Sequence, residues 1–284
     1  MGTSGSSNGP GPDVPMVPPW ADPAPNGGDA PENPDGGDGG SNGDADNGGD
    51  APTVPRPTVP VAPSGRFAGA RRHLGSFSRS GNTGDMRRGI SQYVSRGYGG
   101  SGTSARRMGK TAQTAAGLSN ALSGGGGGGD ATLAATINEL RGRSANEIIN
   151  GVVDAVAPID GSQDVEASRE SIREVLADLI AERPDADLLN LDDESRDVVV
   201  EQFIAADVYR RIVLDVGKKI QDAAPNAKVA LQRLRQVKDY VKETVKYAFN
   251  SVRDKLGSSK SANVGKISHD ALRETFEVFE AYTQ

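Results

Sequence analysis

The sequence predicts an all-α protein: a helical bundle preceded by a long disordered arm rich in Gly, Pro and Asp. Three observations lead there. From Leu234 the apolar residues Val237, Val241, Val245, Ala248, Val252 and Leu256 follow at steps of 3, 4, 4, 3, 4 and 4, the period of one helix face. Pro158, Pro184 and Pro225 punctuate the apolar segments before it, and no turn-bounded alternation suggests a strand. Upstream of residue 65 periodicity vanishes and Gly, Pro, Asn and Asp dominate, so too little apolar surface is available to offset the entropy of chain ordering.

Composition divides the 284 residues further. The expected organisation is a disordered acidic arm over 1–64, a basic short-helix region over 65–123, a glycine linker over 124–130 and an α-helical domain over 131–284. The net charge of −6 hides an asymmetry. Residues 1–64 hold nine acids against one base, Arg56, whereas 65–125 hold ten bases against one acid, Asp85. Such blocks point to partners more than to a fold.

Within the arm, Pro52-Thr53-Val54-Pro55 and Pro57-Thr58-Val59-Pro60 favour an extended, semi-rigid spacer. The island Val14-Pro15-Met16-Val17-Pro18-Pro19-Trp20 carries the chain's single Trp, and Val17, Pro18, Pro19 and Trp20 read as a short docking motif for a partner's groove. At the start, Gly2 permits removal of Met1. The amine so exposed has an ordinary pKa of about 7.7–8.0, close to nucleophilic near neutral pH. Gly2 with Ser6 also fits the loose myristoylation pattern, although one acyl chain anchors only marginally.

In the basic region, Phe67, Ala70, Arg71 and Leu74 share a helix face that is expected to end in the Ser/Gly cluster 75–84. Asp85 is expected to cap a second helix carrying Met86, Ile90, Tyr93 and Val94, stopped at Gly97-Tyr98-Gly99-Gly100. A third helix is expected from Ser101 or Thr103, with Met108, Ala112, Ala115, Ala116 and Leu118 on one side. Beyond the linker come a segment through Ile148, Ile149, Val152, Val153 and Val156, and one through Val165, Ile172, Val175, Leu176 and Leu179. A long unbroken run follows from Val199 to Ile220, then the 234–256 helix, and Lys266 to Tyr282 closes the chain.

Several chemistries are excluded or disfavoured. With no Cys there is no disulfide, thiolate metal site or cysteine nucleophile, and two His residues cannot build a His-rich cage. No metal or cofactor is therefore expected. No stretch of about eighteen apolar residues suggests a membrane span, and the first residues do not follow a secretory pattern, so a cytoplasmic location is expected. Gly109-Lys110-Thr111 lacks the earlier glycine of a phosphate-binding loop, having Ser104 in that place, and no strand precedes it. His269-Asp270 has no nucleophile elbow, and Ser268 to Asp270 is expected to begin the last helix. The acids of 160–201 read as solvated faces, with no carboxylate pair on an apolar face, so no general acid–base site is expected and the chain is not expected to be an enzyme.

The arginines Arg66, Arg71, Arg72, Arg87, Arg88, Arg106 and Arg107, with Phe67 and Tyr98, make the expected partner-binding surface. Three readings stay open. The guanidiniums neutralise nucleic-acid phosphates while Tyr93 or Tyr98 stacks on bases. Alternatively they dock on acidic protein, including this chain's own arm or body, or they are merely a solvated face.

Taken together, Met1-Gly2-Thr3-Ser4, Val17-Pro18-Pro19-Trp20-Ala21-Asp22, Arg66-Phe67, Tyr98-Gly99-Gly100-Ser101 and Ala105-Arg106-Arg107-Met108-Gly109 resemble the QatB family of the four-gene Qat anti-phage defence systems. The resemblance implies a non-enzymatic component encoded beside an ATPase (QatA), a QueC-like enzyme (QatC) and a TatD-like nuclease (QatD). Defence relatives of QueC are thought to conjugate a deazaguanine to an N-terminal glycine, which would make Gly2 the acceptor. The alternative is an adaptor whose basic helices carry DNA to the nuclease.

Overall fold

The structure, a computed structural model, describes residues 16–17, 62–124, 131–256 and 264–282. Gly2, Pro18, Pro19 and Trp20, most of the acidic arm and the centre of the glycine linker lie outside them. Among the described residues every regular element is helical, as the apolar spacing requires.

The basic region supplies four helices. α1 (Ala68–Ser80) ends inside the expected Ser/Gly cluster, at Gly81, whose φ of 78° no Cβ-bearing residue adopts readily. Gly75 does not break it, because that position is buried where an added Cβ would lie 3.1 Å from Lys219. α2 (Thr83–Gln92) is capped by Asn82, not Asp85. The Asn82 side chain accepts from the Gly84 N–H at 2.8 Å, and Asp85 sits in the first turn where it favours the helix dipole. The last turn of α2 widens into a π turn, Tyr93–Gly97. The expected third helix is two, α3 (Ser101–Arg107) and α4 (Gly109–Leu122), broken where Met108 takes φ −92° and ψ 20°.

Downstream, α5 (Ala131–Glu139) was not foreseen; only Ile137 of it is fully buried, so its apolar period is faint. α6 (Ala145–Val156) opens on a reciprocal Ser144–Glu147 capping box, and α7 (Gln163–Glu182) on Ser162. The expected continuous run is α8 (Asp193–Ile212), a second π turn (Val213–Gly217) and α9 (Lys218–Ala223). α10 (Ala227–Leu256) matches the 3–4 pattern, and α11 (Val264–Ala281) completes the fold. Since α11 begins at Val264, Ser268 to Asp270 lie inside it and do not open it.

One core joins both halves. α8 is bracketed by α4, α7 and α10, while α11 packs on α3, α4 and α10, and α1 on α2 and α9. All six phenylalanines of the chain are buried, two from the basic region (Phe67, Phe77) and four from downstream. Each such side chain contributes roughly 1.5–3 kcal/mol. The basic helices are therefore part of the bundle's own packing.

Two acids are drawn out of solvent, and one of them, Glu174, belongs to the stretch read as solvated faces. Asp207, in the apolar run Phe203 to Val208, is fully buried. It accepts from Thr111 Oγ1 at 2.6 Å, Ser168 Oγ at 3.0 Å and Arg211 Nε at 3.2 Å. Arg211 also meets Asp164 at 2.6 Å, so the buried carboxylate is paired, as burial demands. Glu174 is half-buried between Lys238 and Arg210, a clamp joining α7, α8 and α10.

Candidate functional site

Five of the residues singled out between Gly65 and Met108, namely Arg66, Phe67, Arg71, Tyr98 and Arg107, meet at one place, the second π turn. Phe67, just before α1, stacks on Tyr93 with ring centroids 5.5 Å apart and meets Tyr98 edge-on at 5.5 Å; Tyr93 and Tyr98 are themselves 5.2 Å apart. A triad of one stacked and two edge-to-face pairs adds about 0.5–1.5 kcal/mol per pair beyond its buried area. The approach is possible because residue 97 is Gly. A Cβ there would lie 2.5 Å from Cε1 of Phe67.

Three guanidiniums cover the rings. Arg66 lies 4.6 Å from the Phe67 centroid and 5.1 Å from that of Tyr98, Arg71 lies 5.8 Å from Phe67, and Arg107 lies 5.3 Å from Tyr98. Cations over aromatic faces are stabilising, the more so when desolvated. At the centre stands Asp215 of the π turn. Its carboxylate accepts from the Tyr98 hydroxyl at 2.5 Å and the Tyr93 hydroxyl at 2.9 Å, and its backbone carbonyl from Arg71 Nη2 at 3.2 Å.

Burial pushes the Asp215 carboxyl above the ordinary range, opposed by the two hydroxyls and by Arg107 and Arg66. Burial likewise pushes Tyr93 and Tyr98 well up, and the neighbouring Asp215 charge adds to it. The two phenols thus stay protonated as donors through the physiological range. Arg107 extends the network, reaching Asp164 at 3.4 Å and through it the buried Arg211–Asp207 pair.

The arm returns to this cluster. Met16 and Val17 are both buried, and Met16 Sδ would stand 3.2 Å from a Cβ placed on Gly99, in the Gly99–Gly100 turn where both φ values are positive. Beside it, Arg66 is 7% exposed, yet its Nε and Nη2 have no hydrogen-bond partner among the described residues.

The structure therefore brings together Arg66, Phe67, Arg71, Tyr98 and Arg107, with Val17 buried nearby. Phe67 and Tyr98 are core residues, and Arg66 is nearly so. Arg87 lies apart, over the rings of Tyr240 and Tyr282. Arg72, Arg88 and Arg106 are exposed and meet no carboxylate among the described residues. Sequence reasoning missed Asp215, whose signal was a lone acid inside Ile212-Val213-Leu214-Asp215-Val216. The arrangement holds charge between fixed partners and ties the basic region to α8 and α9. Among the described residues no group of three or more His, Asp or Glu is placed to hold a metal ion, and no helix is long and apolar enough to cross a membrane.

A family model described as Qat anti-phage system associated protein QatB matches residues 99–279, from the Gly99 turn to near the end of α11. No curated protein and no solved structure matches the chain.

Proposed function

The chain belongs to the QatB family and is thereby a component of a Qat anti-phage defence system; on that premise we propose that it works there as a non-enzymatic interaction partner whose N-terminal Gly2 is the substrate of a QueC-like enzyme. The observation that carries this reading is the burial of Met16 and Val17 on the body beside Gly99. Gly2 stands fourteen residues ahead of Met16, so it can reach at most about 50 Å from a fixed point on the bundle. An enzyme docked near that point has the acceptor amine within range. Val17 is spent in the anchor, and Pro18, Pro19 and Trp20 follow it directly and supply the docking motif, with the ATPase and TatD-like nuclease of the system as further partners.

Co-purification tests the partnership. The tagged full chain is expected to retain the QueC-like enzyme, and Trp20→Ala to lose most of it. Equal retention by the two chains would remove the docking motif from the reading.

A second reading rests on Arg72, Arg88 and Arg106, exposed without carboxylate partners among the described residues: an adaptor that holds DNA phosphates. It requires duplex binding that falls steeply with salt and is lost on changing these three residues to Gln.

A further inference from the structure

The π turn that carries Asp215 has a second side. Its first two residues, Val213 and Leu214, form one wall of an open cleft of about 490 Å³, whose other wall is the start of α7. That volume falls within the range of about 300–1,000 Å³ typical of ligand-binding clefts. π turns inside α-helices also occur frequently at functional sites.

The lining has two characters. Ala167, Tyr209, Val213 and Leu214 make an apolar floor, and Leu214 keeps 40% of its surface exposed. Ile159, two residues before Gly161 at the cleft edge, is 71% exposed, the highest value for any large apolar side chain among the described residues. Isolated exposed apolar residues are ordinary, but Leu214 lies inside a concave site, with Ile159 two residues in sequence from its edge.

The rim is acidic. Glu166 and Glu170 stand one helical turn apart on α7, each with 56% of its side chain exposed. Their nearest cations are at the edge of ion-pairing range, Arg169 Nε at 4.0 Å from Glu166 and Arg173 Nη1 at 3.7 Å from Glu170. The one cation in the lining among the described residues, Arg210, is committed to Glu174 and to Ser171 Oγ at 3.1 Å. The cleft thus presents apolar area beside carboxylates that retain charge to give.

We propose that this cleft docks a cationic amphipathic segment of a partner protein, an apolar side chain on Leu214, Val213 and Tyr209 with a Lys or Arg against Glu166 and Glu170. Charge decides the class of occupant. A nucleic-acid backbone would be repelled by the two carboxylates, and an acidic segment likewise. An apolar anchor ringed by opposite charge is the ordinary composition of a small interface centre. Because Leu214 and Asp215 are consecutive, occupancy acts on the same five-residue turn that holds Tyr93 and Tyr98.

The test uses the full chain and short fluorescent peptides, read by anisotropy. One probe carries a Leu pair flanked by lysines; a second replaces the lysines by Glu, and a third replaces the leucines by Ser. The Lys–Leu probe is expected to bind, with the other two weaker by about tenfold or more, as for the loss of one good anchor. Leu214→Ser and the pair Glu166→Lys, Glu170→Lys are expected to weaken it similarly while the chain stays fully folded at the assay temperature, which thermal melts check. Glu243→Lys with Glu277→Lys, the same charge change outside the cleft, is expected to leave binding intact. Equal affinity of all variants overturns the proposal. So does a Ser probe as tight as the Leu probe, which would mean bulk charge attraction, or self-association of the chain that Leu214→Ser abolishes, which would make a second copy the occupant.

Discussion

Tyr98 donates a 2.5 Å hydrogen bond to Asp215 across 117 residues of sequence, joining the basic region to the turn between α8 and α9. Tyr93 donates to the same carboxylate at 2.9 Å. Tyr98→Phe removes one of the two donors while keeping the ring in the triad. It is expected to cost about 1–3 kcal/mol in urea unfolding, the range for leaving a buried polar group short of a partner. Tyr93→Phe combined with Tyr98→Phe is expected to be non-additive, because both serve one acceptor. Additive losses would mean that the two hydroxyls act independently.

Asp207 is the counter-charge buried beside Arg211. Asp207→Ala leaves that guanidinium with Asp164 alone and strands Thr111, while Ser168 keeps its bond to the Asp164 carbonyl at 3.2 Å. The expected cost is about 3–5 kcal/mol, read by chemical denaturation. Val208→Ala on the same helix removes only packing, and comparison of the two separates charge from volume.

Two glycines are expected to respond oppositely to alanine. At Gly97 an added Cβ would lie 2.5 Å from the Phe67 ring, so Gly97→Ala should destabilise by about 1–3 kcal/mol. Gly102 is exposed in α3 with nothing within 4 Å of the same position. Gly102→Ala should therefore stabilise by about 0.4–1 kcal/mol through a stiffer unfolded chain. Thermal melts of the two variants check the pair.

Acid stability has a named contributor in Glu174. Burial pushes this carboxyl up, but the Lys238 ammonium and the Arg210 guanidinium outweigh it and hold it below the usual carboxylate range. A depressed folded-state pKa stabilises above the unfolded value and loses that contribution as pH falls through the folded one. Glu174→Gln should therefore melt lower than the parent chain at pH 7, and the gap should narrow on acidification. Asp215, pushed the other way by burial, works with opposite sign: what it contributes is present in acid and fades as pH rises through its folded value. A Glu174→Gln gap that widens in acid would contradict the first assignment.

How far the sequence leads is set by how local each signal is. The 3–4 steps of α10 and the prolines at 158, 184 and 225 place helices because helix faces and breakers are local properties. The capping of α2 by Asn82 instead of Asp85 turns on a single backbone hydrogen bond, and α5 buries too little to show a period. The π turns escape notice because Ile212 to Ile220 keeps an apolar pattern through the one-residue insertion. Arg66, Phe67, Arg71, Tyr98 and Arg107 were all legible as a set, yet nothing near them in sequence names Asp215 as their common centre. That requires knowing that α1 packs against α9.

The arm's anchor can be read without following the arm itself. Met16→Asp is expected to expel Met16 and Val17 from beside Gly99 and to raise amide hydrogen exchange over Gly97 to Ser101 by about tenfold, leaving α8 and α10 unchanged. Unchanged exchange at Tyr98 and Gly99 would mean that the contact contributes nothing to holding that turn.

The most direct measurement is the mass of the N-terminal peptide from the full chain, produced together with the other components of its defence system in cells that resist phage. A peptide lacking Met1 and carrying a covalent adduct on the Gly2 amine, absent when the QueC-like enzyme is inactivated, is the predicted result. A bare Gly2 in fully protected cells would contradict the account.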